Sequence, residues 1–266
     1  MRTFAFFAAL LFTAACNHVV PAANQRLETT PRHDEWVTID SAGRPLHAYV
    51  VYPQSSTKSG AVVVIHENRG LTDWVRTVAD RLAEEGYIAI APDMLSGSAP
   101  GGGRTKDFPS EDAAREAISK LPPQQVAADL AASASYVRAL PSANGKLAVA
   151  GFCWGGARTW EAANTIDGLT AAFPFYGTGP STDAGVTGIE APVYGFYGGA
   201  DERVNATIET SRALMEKHGK RFEPVIYTGA GHAFMRLGEM PDASEANRTA
   251  HDEGWRRLLA LLQAIR

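Results

Sequence analysis

The sequence predicts an α/β fold, a mostly parallel central sheet with helices on both faces. From about Trp36 onward, short apolar runs alternate with longer helical patterns. Two of these runs, AVVVI (61–65) and KLAVAG (146–151), are almost unbroken in their apolar character, as strands buried on both faces are. No linker interrupts the alternation, so residues 35–266 read as one domain.

Each element has its own signal. LHAYVVY (46–52) alternates like a strand, and YIAIA (87–91) is another buried one. Residues 72–86 carry Trp74, Val75, Val78 and Leu82 at helical spacing and close on Gly86. Helices are expected over 110–120 and 124–140, separated by Pro122 and Pro123. After KLAVAG come a helix from Trp154, strands in LTAAFPFYG and PVYGFYG, and a helix near 206–218. The strand EPVIYTG and a long helix over 243–265 complete the chain.

Composition narrows the function. The 266 residues are 45% hydrophobic and 20% charged, an ordinary globular balance. A net charge of −4 without any Lys/Arg run argues against a nucleic-acid partner. The start, MRTFAFFAALLFTAAC, pairs Arg2 with an apolar core too short to span a bilayer, and reads as a secretion leader over 1–16. It is cut either before Cys16, which is then lipidated and anchors the protein to a membrane surface, or at an ordinary small-residue site. Residues 17–34 are polar and suit a tether. The expected location is therefore the periplasm, free or as a membrane-anchored lipoprotein.

Cys16 and Cys153 are the only cysteines. With Cys16 acylated or removed, Cys153 is a free thiol in an oxidising space, either buried or used. Ligands of parallel α/β sheets sit outside the carboxyl ends of the strands. Glu67, Asp93, Cys153, Asp201 and His232 follow predicted strands in that order. GFCWGG (151–156) then has a physical reason. A strand turning sharply into a helix strains its corner residue, and Gly151, Gly155 and Gly156 remove the bulk around it. The corner residue is lifted beside a helix N-terminus, whose dipole favours thiolate. A free cysteine of this type is otherwise a small buried hydrophobe.

His232, between Gly231 and Ala233, is placed to exchange the thiol proton; alone it would read as a solvated loop histidine. Asp201 would orient it, or serve as a helix N-cap, with Glu202 the weaker acid. The backbone N–H groups of Trp154 and Asn68 are the expected oxyanion donors. HEN (66–68) lacks the second histidine of a zinc-protease helix, so no metal and no cofactor are expected. GGGR (101–104) and GTGP (177–180) lack the setting of phosphate loops and read as loops over the site.

Residues 36–265 resemble the dienelactone hydrolase (carboxymethylenebutenolidase) family of the α/β-hydrolase fold. The resemblance rests on VVVIHENRGL, APDMLSG, NGKLAVAGFCWGG, GGADERV and GAGHAFMR, in that order. It implies Cys153, Asp201 and His232 as a catalytic triad and Glu67 as a carboxylate that contacts the resting thiol and helps activate it. It also implies Arg115 and Arg236 as holders of a substrate carboxylate; by its acidic neighbours alone, Arg115 is equally a solvated charge. Asn68, Arg69, Ser119 and Trp154 depart from the family's usual apolar, aromatic or aliphatic residues and bear on the substrate. The expected activity is cleavage of a small ester or lactone, dienelactone-like, through a thioester. The alternative is a membrane-tethered binding protein that kept the fold without the reaction. A thiol redox role lacks its partner cysteine. The oligomeric state is left open.

Overall fold

The computed structural model describes residues 23–266. The leader and Cys16 lie outside the described residues. Eight strands form one sheet in the order β1-β2-β4-β3-β5-β6-β7-β8. They are β1 (Asp34–Ser41), β2 (Arg44–Val51), β3 (Ser59–Ile65), β4 (Ile88–Pro92), β5 (Ala143–Phe152), β6 (Ala171–Phe175), β7 (Val193–Gly198) and β8 (Phe222–Tyr227). From β4 to β8 every pairing is parallel; β2 pairs antiparallel with both β1 and β4.

The helices are α1 (Ala23–Thr29), α2 (Asp73–Glu84), α3 (Glu111–Ser119), α4 (Pro123–Ala139) and α5 (Trp154–Thr165). They continue with α6 (Glu202–Asn205), α7 (Ile208–Lys217), α8 (Phe234–Leu237) and α9 (Glu245–Leu262). Successive side chains of a strand point to opposite faces, and both faces are covered. Val62 and Val64 of β3 therefore join Val75, Val78 and Leu82 of α2 and Leu258 of α9 in one core. Ala61, Val63 and Ile65 join Val126 and Leu130 of α4 and Trp160 of α5 in the other. Each buried Val or Leu contributes about 1.5–3 kcal/mol over its exposed state, so the unbroken apolar runs are what holds helices to both sides.

Three local differences from expectation have physical causes. Pro123 does not break α4 but opens it, at the first helical position, where a missing N–H costs nothing. Strand β1 was hidden by its charged residues Asp34, Glu35 and Asp40. It folds back on β2 through Ala42 and Gly43, both at positive φ (52° and 79°), the geometry of a tight hairpin turn.

The expected tether over 17–34 is corrected in its described part. From Ala23 the chain forms α1 and then docks on α2 through charge. Asp80, wholly buried, accepts from Arg26 Nε (2.7 Å), from Arg32 Nε and Nη2 (both 2.7 Å) and from the Thr30 hydroxyl (2.6 Å). Burial alone would push its carboxyl pKa up. Hydrogen bonds from Arg32 and Thr30, with the charges of both arginines, hold the carboxyl below the ordinary aspartate value instead.

Candidate active site

Strand β5 ends at Phe152, α5 begins at Trp154, and the single residue between them is Cys153, at φ 57° and ψ −112°. A side chain pays in strain for such a conformation, which persists only when its surroundings impose it. Here the backbone N–H of Cys153 donates to Phe175 O (3.0 Å), and its carbonyl accepts from Gly156 N (3.0 Å). The three glycines are there for space. A Cβ on Gly151 would stand 2.2 Å from Gly155 O, one on Gly155 2.4 Å from Ile65 O, and one on Gly156 2.4 Å from Phe175 O. The first turn of α5 thus presses directly on the ends of β3 and β6, leaving the thiol at the sheet's carboxyl edge.

The loop after β8 brings His232 to that thiol, with Nε2 3.1 Å from Cys153 Sγ. Gly231 N donates to Asn247 Oδ1 on α9 (2.9 Å), which fixes the loop. On the other side His232 Nδ1 lies 2.5 Å from Asp201 Oδ2. Asp201 fills both positions considered for it, since its other oxygen accepts from Val204 N (3.4 Å) as the N-cap of α6. Glu202 begins α6 and is exposed. Burial alone would lower the His232 basicity. Hydrogen bonds to Cys153 and Asp201, reinforced by their charges, win and hold it at about 9 instead of 6.5.

Glu67 and Arg236 meet each other rather than the positions the family resemblance implies. Arg236 Nε donates to Glu67 Oε2 (2.8 Å), and Glu67 is only 4% exposed. A guanidinium is a far stronger partner for a buried carboxylate than a thiol is, so the resting thiol is left to His232. Glu67 Oε1 is buried with no partner among the described residues, as is the Tyr176 hydroxyl. Tyr176 also sits at positive φ (38°), and its ring lies edge-on to His232 at 5.2 Å. Burial, then the nearby Glu67 and Cys153 charges, push its hydroxyl well above the usual tyrosine range.

A cleft of about 330 Å³ opens over the thiol, walled by Asn68, Trp154, Tyr176, Thr178, Ser119 and Arg115 among others. At the first helical position the Trp154 N–H has no intrahelical acceptor, and Asn68 lines the same wall of the cleft. Arg115 borders the cleft from α3, with its guanidinium exposed and paired to Asp112 (3.1 Å).

Two further cleft residues, Arg158 and Arg203, escaped the sequence reading. The signal for Arg158 was its place four residues after Trp154, on the same face of α5. Asp93, grouped with the reactive strand-end residues, is instead used up in holding its loop. Its oxygens accept from Thr105 Oγ1 (2.6 Å), Thr105 N (3.0 Å) and Leu95 N (3.1 Å). Nor does the 101–104 loop cover the site: Arg104 stacks on Trp36, 3.6 Å from the ring centroid, beside a separate small cavity. The 177–180 loop does reach the cleft, through Thr178. Among the described residues no group of three or more His, Cys, Asp or Glu is placed to hold a metal ion.

This geometry can be set beside known proteins. The sequence profile of the dienelactone hydrolase family matches residues 46–266. The chain belongs to the dienelactone hydrolase family. It is accordingly a hydrolase on an α/β-hydrolase fold. Among its relatives in this family, a Salmonella typhimurium protein with the provisional name carboxymethylenebutenolidase is 33% identical over 238 residues, 84% of each chain. A Yersinia pestis protein of the same provisional name is 32% identical over 246 residues, 88% of this chain and 89% of that one. The solved structure of a provisionally named dienelactone hydrolase from Klebsiella pneumoniae superposes with a TM-score of 0.76 at 29% identity. It covers 88% of this chain and 99% of that one. A dienelactone hydrolase-like promiscuous phosphotriesterase from metagenomic libraries shares the fold at a TM-score of 0.74 and 23% identity, covering 88% and 98%.

Proposed function

We propose that this member of the dienelactone hydrolase family cleaves a small ester or lactone through a Cys153–His232–Asp201 triad and a thioester intermediate. The observation that carries the reading is the contact chain from Cys153 Sγ to His232 (3.1 Å) and from His232 to Asp201 (2.5 Å), at the base of an open cleft. A basicity near 9 keeps both imidazole nitrogens protonated at neutral pH. His232 then donates to Asp201 on one side and is placed to pair with a sulfur anion on the other, the form in which Cys153 attacks.

Sulfur attacks the ester carbonyl carbon, and the carbonyl oxygen becomes an oxyanion held by the N–H groups of Trp154 and Asn68. Collapse breaks the carbon–oxygen bond. The leaving alkoxide takes the His232 Nε2 proton, and the acyl group remains on sulfur as a thioester. Neutral His232 next removes a proton from water, whose oxygen attacks the thioester. The second collapse releases the acid and returns the sulfur anion and the imidazolium. Asp201 steadies the imidazolium throughout without taking its proton.

The test is turnover of p-nitrophenyl acetate. Cys153→Ala is expected to abolish it while the protein stays folded, and His232→Gln to let a thioester accumulate on Cys153, visible by intact mass. Full activity of Cys153→Ala would end the covalent mechanism. A wild-type protein inert to esters and lactones alike would instead favour the tethered binding protein. Export, with Cys16 either acylated or removed, is proposed alongside on the strength of the leader composition.

A further inference from the structure

HEN (66–68) opens with a histidine that the proposed reaction does not use. His66 follows the last residue of β3 and is wholly buried. Both nitrogens of its ring have fixed partners. Nε2 lies 3.3 Å from the backbone N of Met94, and Nδ1 lies 2.7 Å from the carbonyl O of Glu67. An amide N–H can only donate and a carbonyl can only accept, so the neutral imidazole carries its proton on Nδ1. Burial, working against the Asp93 charge, holds the ring below the usual histidine range and so in that neutral form. The Met94 donor is itself anchored, because Thr105 binds both carboxylate oxygens of Asp93 beside it.

The Glu67 carbonyl belongs to the peptide unit whose other end is the Asn68 N–H. That unit is planar and trans, so its C=O and N–H point in opposite directions. A hydrogen bond that draws the carbonyl toward His66 therefore turns the Asn68 N–H away from the ring. Gly70 N adds only a longer bond to the same oxygen (3.4 Å). The Asn68 N–H has no acceptor among the described residues, and Asn68 lines the cleft over Cys153. The same imidazole lies nearly flat against Trp154, with ring centroids 5.5 Å apart and planes inclined by 14°. Trp154 carries the second N–H proposed as an oxyanion donor. One buried ring thus touches the peptide unit of one donor and the side chain of the other.

We propose that His66 is the positioning residue of the oxyanion pocket, holding the Asn68 N–H through its Nδ1 proton and the Trp154 turn through its ring face. The proposal rests on the reading of Cys153 as nucleophile with Asn68 and Trp154 as oxyanion donors. His66 is not among the walls of the cleft and acts only through those two residues. Its effect falls on a charge that exists only after sulfur has bonded to a carbonyl carbon and the carbonyl π pair has moved onto oxygen. Attack of the same sulfur on a saturated carbon expels a halide and develops no such charge, so it has no need of His66.

The experiment compares three variants. His66→Leu removes both ring nitrogens. His66→Asn keeps an amide N–H as many bonds from Cα as Nδ1, and His66→Gln places its amide one bond further out. With p-nitrophenyl acetate, His66→Leu is expected to lose roughly tenfold or more in kcat while KM stays within about twofold. Affinity for 2,2,2-trifluoroacetophenone, which captures sulfur as an oxyanionic adduct, should fall in parallel. Alkylation of Cys153 by iodoacetamide should keep the wild-type rate within about twofold. His66→Asn should recover most of the kcat loss and His66→Gln little of it. Unchanged turnover in His66→Leu, equal kcat in the Asn and Gln variants, or an alkylation rate that drops as far as kcat overturns the proposal. Where His66→Leu does not fold, the comparison of Asn with Gln decides. Turnover that survives Cys153→Ala would instead strike the covalent mechanism, so the two failures are separable.

Discussion

His232 Nε2 lies 3.1 Å from Cys153 Sγ, joining a loop after the last strand to an elbow in the middle of the sheet. This pairing sets how the site responds to pH. His232 is held at about 9, against 6.5 for the free side chain, because its bonds to Cys153 and Asp201 outweigh burial. In the proposed reaction the imidazolium protonates the leaving group, and it is lost above that value. The kcat/KM profile is expected to fall on the alkaline side near pH 9, and Asp201→Asn should move that fall toward 6.5 and lower the plateau. A pH series on both proteins checks it.

The same shift has a consequence for stability. The native value is raised, so protonated His232 favours the folded state. That contribution is complete below about 6.5 and disappears as the pH rises through about 9. Melting temperatures between these limits should decline with pH, and His232→Gln should flatten the decline.

The elbow carries strain that a smaller residue would release. Cys153→Gly, inactive like Cys153→Ala, is expected to be about 1 kcal/mol more stable than the alanine variant, since glycine tolerates positive φ. Gly155→Ala should do the reverse and cost about 1–3 kcal/mol of overpacking, because its Cβ would meet the Ile65 carbonyl. Urea unfolding of the three variants tests both signs.

Docking of α1 rests on two carboxylates of α2, the buried Asp80 and the exposed Glu84. Asp80→Ala leaves the largely buried Arg32 only the longer contact to Glu84 (3.6 Å), and should cost about 1–3 kcal/mol. Limited proteolysis should then cut first between residues 23 and 33. Since Asp80 sits below the ordinary aspartate value, its contribution is present above that value and disappears as acid protonates it.

The proposal for the N-terminus is tested in cells. Cys16→Ser should shift the protein from the membrane fraction to the soluble periplasmic fraction if Cys16 is acylated. An unchanged distribution would support cleavage at an ordinary small-residue site.

Much of this was readable without coordinates, for a physical reason. Strands buried on both faces must be apolar throughout, so AVVVI, YIAIA and KLAVAG announced the sheet, and the residues after strand ends announced Glu67, Cys153 and His232. The glycines around Cys153 were equally legible, because each removes a specific backbone collision. What stayed hidden depends on partners distant in the chain. Asp80 resembles any helical surface acid until Arg26 and Arg32 arrive from 48 or more residues away. The engagement of Arg236 by Glu67, 169 positions earlier, is likewise a product of the fold. Tyr176 closes the strand LTAAFPFYG, and the strand-end rule applied to that run would have singled it out.

The Glu67–Arg236 contact has one more implication. Glu67 immediately precedes Asn68, and Arg236 follows His232 by four residues, so a single ionic clasp ties the turn proposed to offer an oxyanion N–H to the one carrying the proposed base. Neither turn can drift alone: whatever loosens the clasp misaligns acceptor and proton carrier in the same stroke. Errors at this edge of the molecule would therefore surface together in both halves of the catalytic cycle.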